Sequence, residues 1–549
     1  MYGLSDGRTR QAYCTTQVAE CLQNELAKLR YSPLDLWAVS AKDSGVVNRF
    51  RDVASLLHAF SGAISHGSFV MITVGDLVDE FRDCDFGDAR LAKRVMEMAS
   101  VLGNNPNLSI TTAFKTKAEF EACYRFFDNE KVSPEKTLES HIRATRERIR
   151  QCDYVLLVQD TTEIDLTRPK QQVEGAGPMD HDCRRGAFYH PLVAFTATGL
   201  PLGIVRHKNW TRTELSKASK SDKSAARKQT PIEEKESYRW LEGLHSAEIT
   251  AATCPDTTCV CVGDSESDIY DLFAYTLASE QPNLKILVRA GQRRVTADDE
   301  DWTEQVRKTI KIGGQSINVG ARTAKIGKGK TARSRSREAR TADLEIRKAT
   351  IELRRPVDCD NRLPSTIEVN LVLCEEVSPP EGEDAISWLL VTTLPIDSDE
   401  DVQRVIESYC RRWQIEIFFK VLKSGCKIEY RRFENIDRIL NCLAFYSVIA
   451  WRLMYICHMG RECPDIECEV MFEPSEWKSV YAVLGIEMPK VGCPTLNELI
   501  RAIARLGGFV DRPKNQPGPK TLWTGLQRCY DLSNAWNAFG PGSKKFSTD

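Results

Sequence analysis

The sequence lacks the features of disulfide-rich, zinc-binding, secreted and membrane proteins. It has no CxxC pair among its 19 cysteines and a net charge of only −2. No apolar run approaches the roughly 20 residues of a membrane-spanning helix. The start, MYGLSDGRTR, has no apolar segment behind its basic residues, so no secretory signal is indicated. These absences argue against a disulfide framework, a zinc ribbon and a membrane protein, and they favour a reducing, cytoplasmic compartment.

The length and charge distribution indicate a soluble, multidomain protein. A chain of 549 residues predicts about three or four domains. Its 42% hydrophobic and 28% charged residues are typical of globular proteins. Positive charge is concentrated between Arg322 and Arg340, where Glu338 is the only acid. This basic strip is either a solvated loop or a flexible segment that follows DNA phosphates by charge alone.

The N-terminal part divides into an unpatterned and a helical segment. Residues 1–70 carry no recognisable motif and are either an accessory extension or the result of a misplaced start, since Met71 opens the better-patterned segment. Residues 71–150 have apolar residues at helical spacing. They predict either a helical DNA-binding module or a plain helical domain with a solvated face. The basic residues beside the apolar stripe are Arg90, Lys93 and Arg94.

From about residue 151 the period changes to that of an α/β protein. Continuous apolar runs at Tyr154–Val158 and Thr258–Val262 predict buried strands, which end next to Asp160 and Asp264. The order strand, hairpin, strand, helix, strand, helix, strand is that of an RNase H-like α/β fold. Catalytic groups gather at the carboxyl ends of strands in open sheets, although an aspartate there is more often simple turn chemistry. Residues 300–385 are predicted to be β-rich.

A single long helix is predicted from Ser398, its N-cap, to Gly425. At 100° per residue, four polar residues fall within about 60° of one another on this helix. They are Tyr409, Arg412, Glu416 and Lys423. The neighbouring Val402, Ile406 and Trp413 are expected at a buried edge. A carboxylate among cations there is either a structural ion pair or part of a cation site. With two carboxylates at strand ends, a divalent metal site is the better interpretation.

The spacing of these four residues resembles the Y-R-E-K signature of the bacterial IS-four family of insertion-sequence transposases, and especially the Tn-five (Tn5) type. The resemblance covers most of the chain after about residue 75. It includes the stretches FGDARLAKR, YRFFDN, VQDTTEIDL, GDSESDI and IARLGGF. In one departure, Ser265 stands where the family often has an arginine after the second aspartate. The metal ligands are unaffected, but a phosphate contact at that position is not expected.

The resemblance implies a DDE transposase that catalyses cut-and-paste DNA transposition. In such relatives water nicks the transposon end, the freed 3′-OH forms a hairpin, and the hairpin is opened and joined to target DNA. Asp160, Asp264 and Glu416 would be the catalytic metal ligands for Mg²⁺, with Mn²⁺ as a substitute. No small-molecule cofactor is expected.

The resemblance also implies which residues bind DNA. The residues implied to contact end phosphates are Arg289, Tyr409, Arg412, Lys420 and Lys423. Trp388 would stabilise a flipped base. The other predicted DNA-binding residues are Tyr124 and Arg125, which open the YRFFDN stretch, and the basic residues Arg90, Lys93 and Arg94.

The predicted organisation follows from the same resemblance. The predicted domains are an extension (1–70), a helical DNA-binding domain (71–150), a catalytic core in two parts (151–299 and 386–455), a β-rich insertion between them (300–385), and a C-terminal dimerisation domain (456–549). The partners would be double-stranded transposon ends, target DNA and a second copy of the chain in a paired-end complex. The expected location is the bacterial cytoplasm, at the nucleoid when DNA is bound. The apolar face of LNELIRAIARL suggests a dimer contact, unless it packs on the chain's own core.

Three other functions are compatible with parts of the sequence. A nuclease with the same fold would cleave DNA without strand transfer. A glycoside hydrolase could use two of the carboxylates, but it gives no reason for the Tyr/Arg/Lys stripe. A non-catalytic DNA-binding regulator derived from a transposase is a third alternative, although the intact acidic triad argues against such decay.

Overall fold

The structure is a computed structural model that describes residues 76–541, apart from 181–182, 215–229, 320–324, 327–331, 335–337, 384 and 513–514. The predicted 1–70 extension, the Met71 start and most of the 322–340 basic strip lie outside the described residues. Residues Ile72–Asp549 form one compact unit.

Three long capped helices follow a 3₁₀ turn at Leu77–Phe81, as the helical spacing predicts, and a single helical turn at Ile110–Ala113 lies between the first two. The helices are α1 (Ala89–Asn104), α2 (Lys117–Phe127) and α3 (Pro134–Ile149). The side chains of Asp88, Thr116 and Ser133 accept hydrogen bonds from backbone N–H groups in the first turns of these helices. Such caps each contribute about 1 kcal/mol of helix stability, which explains where the helices begin.

A large mixed sheet forms the centre of the chain, as the predicted α/β class requires. Its eleven strands are β1 (Tyr154–Gln159), β2 (Thr162–Asp165), β3 (Gly177–Pro178), β4 (Arg185–Thr196), β5 (Pro201–Trp210), β6 (Thr258–Gly263), β7 (Leu284–Arg289), β8 (Gly313–Val319), β11 (Arg340–Arg354), β12 (Thr366–Glu376) and β13 (Ser387–Thr392). Two further short strands, β9 (Lys325–Ile326) and β10 (Ala332–Ser334), form a separate two-stranded ribbon. The strand order is β2-β4-β1-β6-β7-β13-β12-β11-β8, and β3 and β5 also pair with β4. Strands β1, β6 and β7 are parallel neighbours.

Both faces of the sheet are covered, which is why its inner strands are apolar along their whole length. One face packs on helices α4 (Tyr238–Thr253) and α5 (Tyr270–Ala278), and a short helix, α6 (Trp302–Arg307), lies near this core. The other face packs on the N-terminal helices and on the helices that follow β13. Alternate residues of β1 and β6 therefore belong to two different apolar cores.

The β-rich insertion is confirmed, but it is continuous with the catalytic sheet. Strand β13 pairs antiparallel with β7, and β12 pairs with β13. The full length of β12 pairs with β11, from Leu344–Glu376 to Arg354–Thr366. Strand β8 completes this side by pairing with β11. The insertion therefore extends the edge of the central sheet and is fixed to it by an uninterrupted ladder of hydrogen bonds.

The predicted single helix over Ser398–Gly425 is wrong in its continuity. The structure has α7 (Asp399–Arg411), a break, α8 (Gln414–Lys420) and a π-helical turn at Val421–Gly425. Ser398 is the N-cap as predicted and forms a capping box with Asp401. Trp413, which lies in the break, is 61% exposed and does not border the buried edge that a regular helix implied.

The next helix, α9 (Ile436–Glu462), is the central helix of the second apolar core. By length and mean hydropathy of 1.5 it is the one described helix that could span a membrane, but 83% of that window is buried by the rest of the chain. The Asn441 amide donates to the carbonyl oxygens of Phe127 at 3.0 Å and Val132 at 3.2 Å. The N-terminal helices therefore depend on α9 for their packing.

The C-terminal helices pack on α9 and on one another. They are α10 (Pro474–Leu484), α11 (Leu496–Leu506) and α12 (Pro519–Phe539). The predicted dimer face of α11 is buried inside the chain, and its residues are Leu496, Leu499, Ile500, Ile503 and Leu506. The argument that this face forms a dimer contact is therefore wrong, because it already packs on the chain's own core.

We expect Leu499→Ala to destabilise the chain itself, since removing a fully buried leucine side chain costs about 2–5 kcal/mol. Thermal unfolding should move to lower temperature at every protein concentration. The control is Val483→Ala on α10, where the side chain is exposed, and it should leave the unfolding temperature close to that of the parent. Parent stability of Leu499→Ala with weaker self-association would contradict this packing role.

A buried ion-pair network joins the N-terminal turn to α3 and the sheet. Glu80 accepts hydrogen bonds from Arg148 Nη1 at 2.8 Å and from His141 Nδ1. Arg148 Nε also donates to the carbonyl oxygen of Leu202 on β5 at 2.6 Å. Burial alone would raise the pKa of Glu80, but the two basic partners outweigh it and lower the pKa to about 2. The charge of Glu80 is thus needed in the folded state.

We expect Glu80→Gln to lower the free energy of unfolding by about 3–5 kcal/mol at pH 7, because Arg148 would keep a buried charge without its partner. Glu121→Gln is the matched control, since the Glu121–Arg125 pair is exposed and should contribute at most about 1 kcal/mol. Urea denaturation measures both, and equal losses in the two variants would refute the role of the network.

The ion-pair network of Glu80, His141 and Arg148 also makes the folded protein less stable at acidic pH. Below about pH 6.5 the unfolded chain binds a proton at His141, whose pKa burial lowers in the folded state. Unfolded Glu80 then binds a proton near its ordinary pKa of 4.5, and its contribution is lost as the pH falls toward 2. Both shifts have the same sign, so the urea midpoint of the parent should fall as the pH is lowered from 7 to 4.

Candidate active site and nucleic-acid interface

The two predicted aspartates lie side by side at the carboxyl ends of β1 and β6. In the parallel register Val158 is opposite Val262, so the residues two positions further on, Asp160 and Asp264, continue the same row. Neighbouring strands are about 4.8 Å apart, which brings the two carboxylates close together. Val158 and Val262 belong to the core beneath α7 to α9, and the alternation of the strands places both aspartates on this face.

Two more predicted residues lie at the same edge of the sheet. Gly263 pairs with Val288, so Arg289 follows Asp264 in the row, and Arg289 pairs in turn with Leu390 on β13. Because β13 runs antiparallel to β7, its first residues lie at the carboxyl ends of the parallel strands. Trp388 therefore lies on the same face as Arg289, one step further out.

The broken helix α7–α8 brings the remaining site residues over this edge. Arg412 Nη1 donates to Asp160 Oδ2 at 2.9 Å, and Arg412 Nη2 is 3.9 Å from Glu416 Oε1. The guanidinium carbon lies 6.0 Å from the ring centroid of Tyr409, and that ring is 6.4 Å from the ring of Trp388. Asp160 and Arg412 are mostly buried, whereas the side chain of Glu416 is 41% exposed.

Negative charge in the site is only partly balanced by Arg412. Burial, and then the charge of Asp264, raises the pKa of Asp160 to about 7, although Arg412 and the backbone N–H of Thr161 act in the opposite direction. Glu416 adds to the increase. The carboxylates therefore repel one another, and a further cation among them would be stabilised.

The two lysines that the spacing assigned to this stripe lie beyond the helix break. Lys420 is exposed at the end of α8. Lys423 lies in the π-helical turn, where its Nζ is 3.7 Å from Glu429 Oε1. Since Glu429 also accepts a hydrogen bond from the backbone N–H of Asp165, Lys423 is held toward β2. The break explains why a uniform 100° rotation does not describe these positions.

The predicted N-terminal DNA-binding residues are mostly exposed but already have carboxylate partners. Arg90 pairs with Asp88, Arg94 and Lys93 lie near Glu97, and Arg125 lies near Glu121. Tyr124 differs, because it is partly buried with its ring edge-on to Phe433 at 5.5 Å. Burial also raises the pKa of Tyr124. Its aromatic face is thus partly used in packing between α2 and the segment before α9.

Three family models match successive parts of the chain. A transposase DNA-binding domain matches residues 77–132, a transposase DDE domain matches residues 243–451, and a transposase Tn5 dimerisation domain matches residues 448–535. Together these matches span most of the chain after residue 76. The chain belongs to the Tn5-like DDE transposases. It is an enzyme of cut-and-paste DNA transposition, with DNA-binding and dimerisation domains, and such enzymes use divalent metal ions.

A solved piggyBac transposase synaptic complex with hairpin DNA is among the similar structures. It aligns with 85% of this transposase and 80% of its own chain, at 10% sequence identity and a TM-score of 0.31. A likeness at that score does not establish a shared fold.

The donor set of the transposase suits a hard divalent ion. Asp160, Asp264 and Glu416 supply carboxylate oxygens, the ligands that Mg²⁺ and Mn²⁺ prefer. The DDE match includes Asp264 and Glu416 and begins after Asp160. Within the described ranges, no three acidic, histidine or cysteine side chains lie close enough to share one ion. Arg412, which donates a hydrogen bond to Asp160 Oδ2, supplies a positive charge among these carboxylates.

Some residues of this edge were missed by sequence reasoning. Arg239 at the start of α4 bonds to residues beside both aspartates, and Asp268 accepts hydrogen bonds from Arg294 and from the backbone N–H groups of Gly291 and Gln292. No sequence periodicity identifies Arg239 or Asp268, since their hydrogen-bond partners are distant in the sequence. The only hint of these contacts in the sequence is the polar side chain of Thr161, directly after the first aspartate.

Proposed function

We propose that this transposase cuts DNA at its element's ends and joins those ends to target DNA, with Asp160, Asp264 and Glu416 holding Mg²⁺ or Mn²⁺. The observation that supports it best is the single row formed by Asp160, Asp264 and Arg289, with α8 bringing Glu416 over it. Bound ions would activate the attacking water and stabilise the leaving oxygen of an in-line phosphoryl displacement.

The cationic side chains of this edge would bind the phosphates of the transposon end. Arg289 and Arg412 lie next to the carboxylates, so a phosphate that approaches the acidic residues meets two guanidinium groups. Tyr409, Lys420 and Lys423 would extend this contact along the backbone. A guanidinium already held beside Asp160 loses little rotamer freedom when it takes up a phosphate oxygen.

The N-terminal basic residues and a second copy of the chain would complete the complex. Arg90, Lys93 and Arg125 are exposed and Arg94 is half-buried on α1 and α2, inside the matched DNA-binding domain, and Tyr124 lies beside them. Each phosphate that they neutralise makes binding more sensitive to salt. Two copies, joined by the C-terminal domain, would hold two double-stranded ends in the cytoplasm, at the nucleoid.

We expect Asp160→Ala, Asp264→Ala and Glu416→Ala each to reduce end cleavage by about a thousandfold or more, which corresponds to about 4 kcal/mol of lost transition-state stabilisation. End binding should remain close to that of the parent, because the N-terminal helices are unchanged. Cleavage of a supercoiled plasmid carrying the element's ends in Mg²⁺, with a gel shift for binding, measures both.

The control is Asp256→Ala, at an exposed acid before β6 on the opposite edge of the sheet. It should cleave and join DNA as the parent does. Retained nicking by Asp264→Ala would refute the metal assignment. Cleavage by the parent without any joined product would instead identify a nuclease, and absence of both would identify a DNA-binding regulator.

The aromatic pair Trp388–Tyr409 supports a hairpin step. Forming a hairpin at a blunt end requires a severe backbone bend, which is easier if one base leaves the stack. Trp388 is only partly buried at the edge of the sheet, diagonally across from Arg289 on the neighbouring strand, so its ring can offer a face to such a base. An aromatic face recovers about 1–3 kcal/mol per stacked base.

We expect Trp388→Leu to leave first-strand nicking nearly normal and to slow hairpin formation roughly tenfold or more, because leucine keeps the apolar packing but loses the stacking of about 1–3 kcal/mol. Trp388→Phe is the matched control and should retain most of the rate. Single-turnover assays on pre-nicked ends separate the two steps, and an abasic site at the flipped position should partly rescue the leucine variant. Equal losses in nicking and hairpin formation would show that Trp388 is only a packing residue.

A further inference from the structure

Arg239, at the start of α4, joins the two loops that carry the first two carboxylates of the site. Its Nε donates to Thr161 Oγ1 at 2.9 Å, and its Nη2 donates to Glu266 Oε2 at 2.8 Å. The guanidinium is nearly buried and lies 5.7 Å and 5.4 Å from the ring centroids of Trp210 and Trp240. A single rigid group is thus shared by two loops that are about a hundred residues apart in the sequence.

The two residues that Arg239 holds are also the residues that orient the aspartates. The backbone N–H of Thr161 donates to Asp160 Oδ1 at 2.7 Å. The backbone N–H of Glu266 donates to Asp264 Oδ1 at 2.8 Å. The guanidinium donors have a fixed planar geometry, so the distance between the two loops, and hence between the two carboxylates, is constrained.

The Thr161 side of this connection continues through buried residues and returns to α4. Thr161 Oγ1 is 2.9 Å from His190 Nδ1, and His190 Nε2 is 3.1 Å from Gln159 Oε1. Gln159 Nε2 donates to the carbonyl oxygen of Trp240 at 3.3 Å. Since Trp240 follows Arg239 directly, these hydrogen bonds close a ring, and Asp160 lies between two of its members.

Only one arrangement of protons satisfies every hydrogen bond of this ring. The Trp240 carbonyl can only accept, so the Gln159 amide group faces it and the Gln159 oxygen accepts from His190 Nε2. Burial, and then the nearby Arg239, holds the pKa of His190 well below its ordinary value, so the imidazole is neutral. Its Nδ1 then accepts from the Thr161 hydroxyl, which leaves the hydroxyl oxygen to accept from Arg239.

We propose that this hydrogen-bonded ring positions the metal ligands, setting Asp160 relative to Asp264 before any ion binds. The ring consists of Arg239, Thr161, His190, Gln159 and the carbonyl group of Trp240, and Glu266 is its connection to the second aspartate. The inference rests on the proposed metal-binding role of the aspartates. Groups that hydrogen-bond to metal ligands or fix their orientation commonly change metal affinity by about 10- to 100-fold when they are removed.

Direct Mn²⁺ binding to the full-length, DNA-free protein, followed by electron paramagnetic resonance, tests this role independently of activity. Thr161→Val keeps the shape of the side chain but breaks the ring, and the Kd for Mn²⁺ should rise by about tenfold. Thr161→Ser keeps the hydroxyl and should bind nearly as the parent does. Arg239→Lys should not restore binding, because one ammonium group cannot reproduce the fixed fork between the two loops.

Arg212→Gln is the matched control for loss of a partly buried arginine near α4. Arg212 pairs with Glu236 and lies 4.2 Å from the Phe188 ring centroid, but its hydrogen bonds reach neither Thr161 nor Glu266. Its Mn²⁺ affinity should equal that of the parent. Parent affinity in Thr161→Val, or equal weakening in Arg212→Gln, overturns the proposal.

Two further variants separate the ring from the metal site itself. If Asp160→Asn binds Mn²⁺ as the parent does, the proposed metal site is wrong. If Asp160→Asn loses binding while Thr161→Val keeps it, only the role of the ring is refuted. Should Thr161→Val fail to fold, Glu266→Ala removes an exposed side chain and cuts only the connection to Asp264. It should also weaken Mn²⁺ binding, and parent affinity there overturns the proposal.

Discussion

The parallel pairing of β1 with β6 fixes the positions of the two aspartates of the proposed site. Parallel strands cannot be joined by a tight turn, so the β4–β5 hairpin and α4 lie between them in the chain. The register that places Val158 opposite Val262 brings two aspartates to adjacent positions at one edge. A shift of one residue in β6 would direct Asp264 to the other face of the sheet and dismantle the site.

The alternation of side chains along β1 explains how both faces of the sheet contribute. Asp160 lies on the face covered by α7 and α8, where Arg412 bonds to it. Gln159 and Thr161 lie on the opposite face, where α4 supplies Arg239 and the Trp240 carbonyl. The Asp160 carboxylate is thus held through its own oxygen from one side and through its two neighbours in the chain from the other.

Local patterns were sufficient for much of the fold. Continuous apolar runs located β1 and β6, and the Ser398 cap located the start of α7, because these signals involve residues close in sequence. The break at Trp413 and the π turn have no local signal, since α8 and its turn pack on α9, which is formed by residues further along the chain. The hydrogen-bonded ring was not predicted either, because its members are far apart in the sequence. The extension of the sheet through β13, β12, β11 and β8 was also not predicted, because the alternation of apolar and polar residues identifies strands but not the strands they pair with.

The dependence of the N-terminal helices on α9 has a consequence for gene copies that are cut short. Asn441 on α9 satisfies the carbonyl groups of Phe127 and Val132, and Phe445 stacks on Phe81 at 5.0 Å. A reading frame that stops before this helix would leave the N-terminal helices without an important part of their core. We therefore expect copies truncated before α9 to lose the folded N-terminal helices rather than to persist as separate DNA-binding fragments.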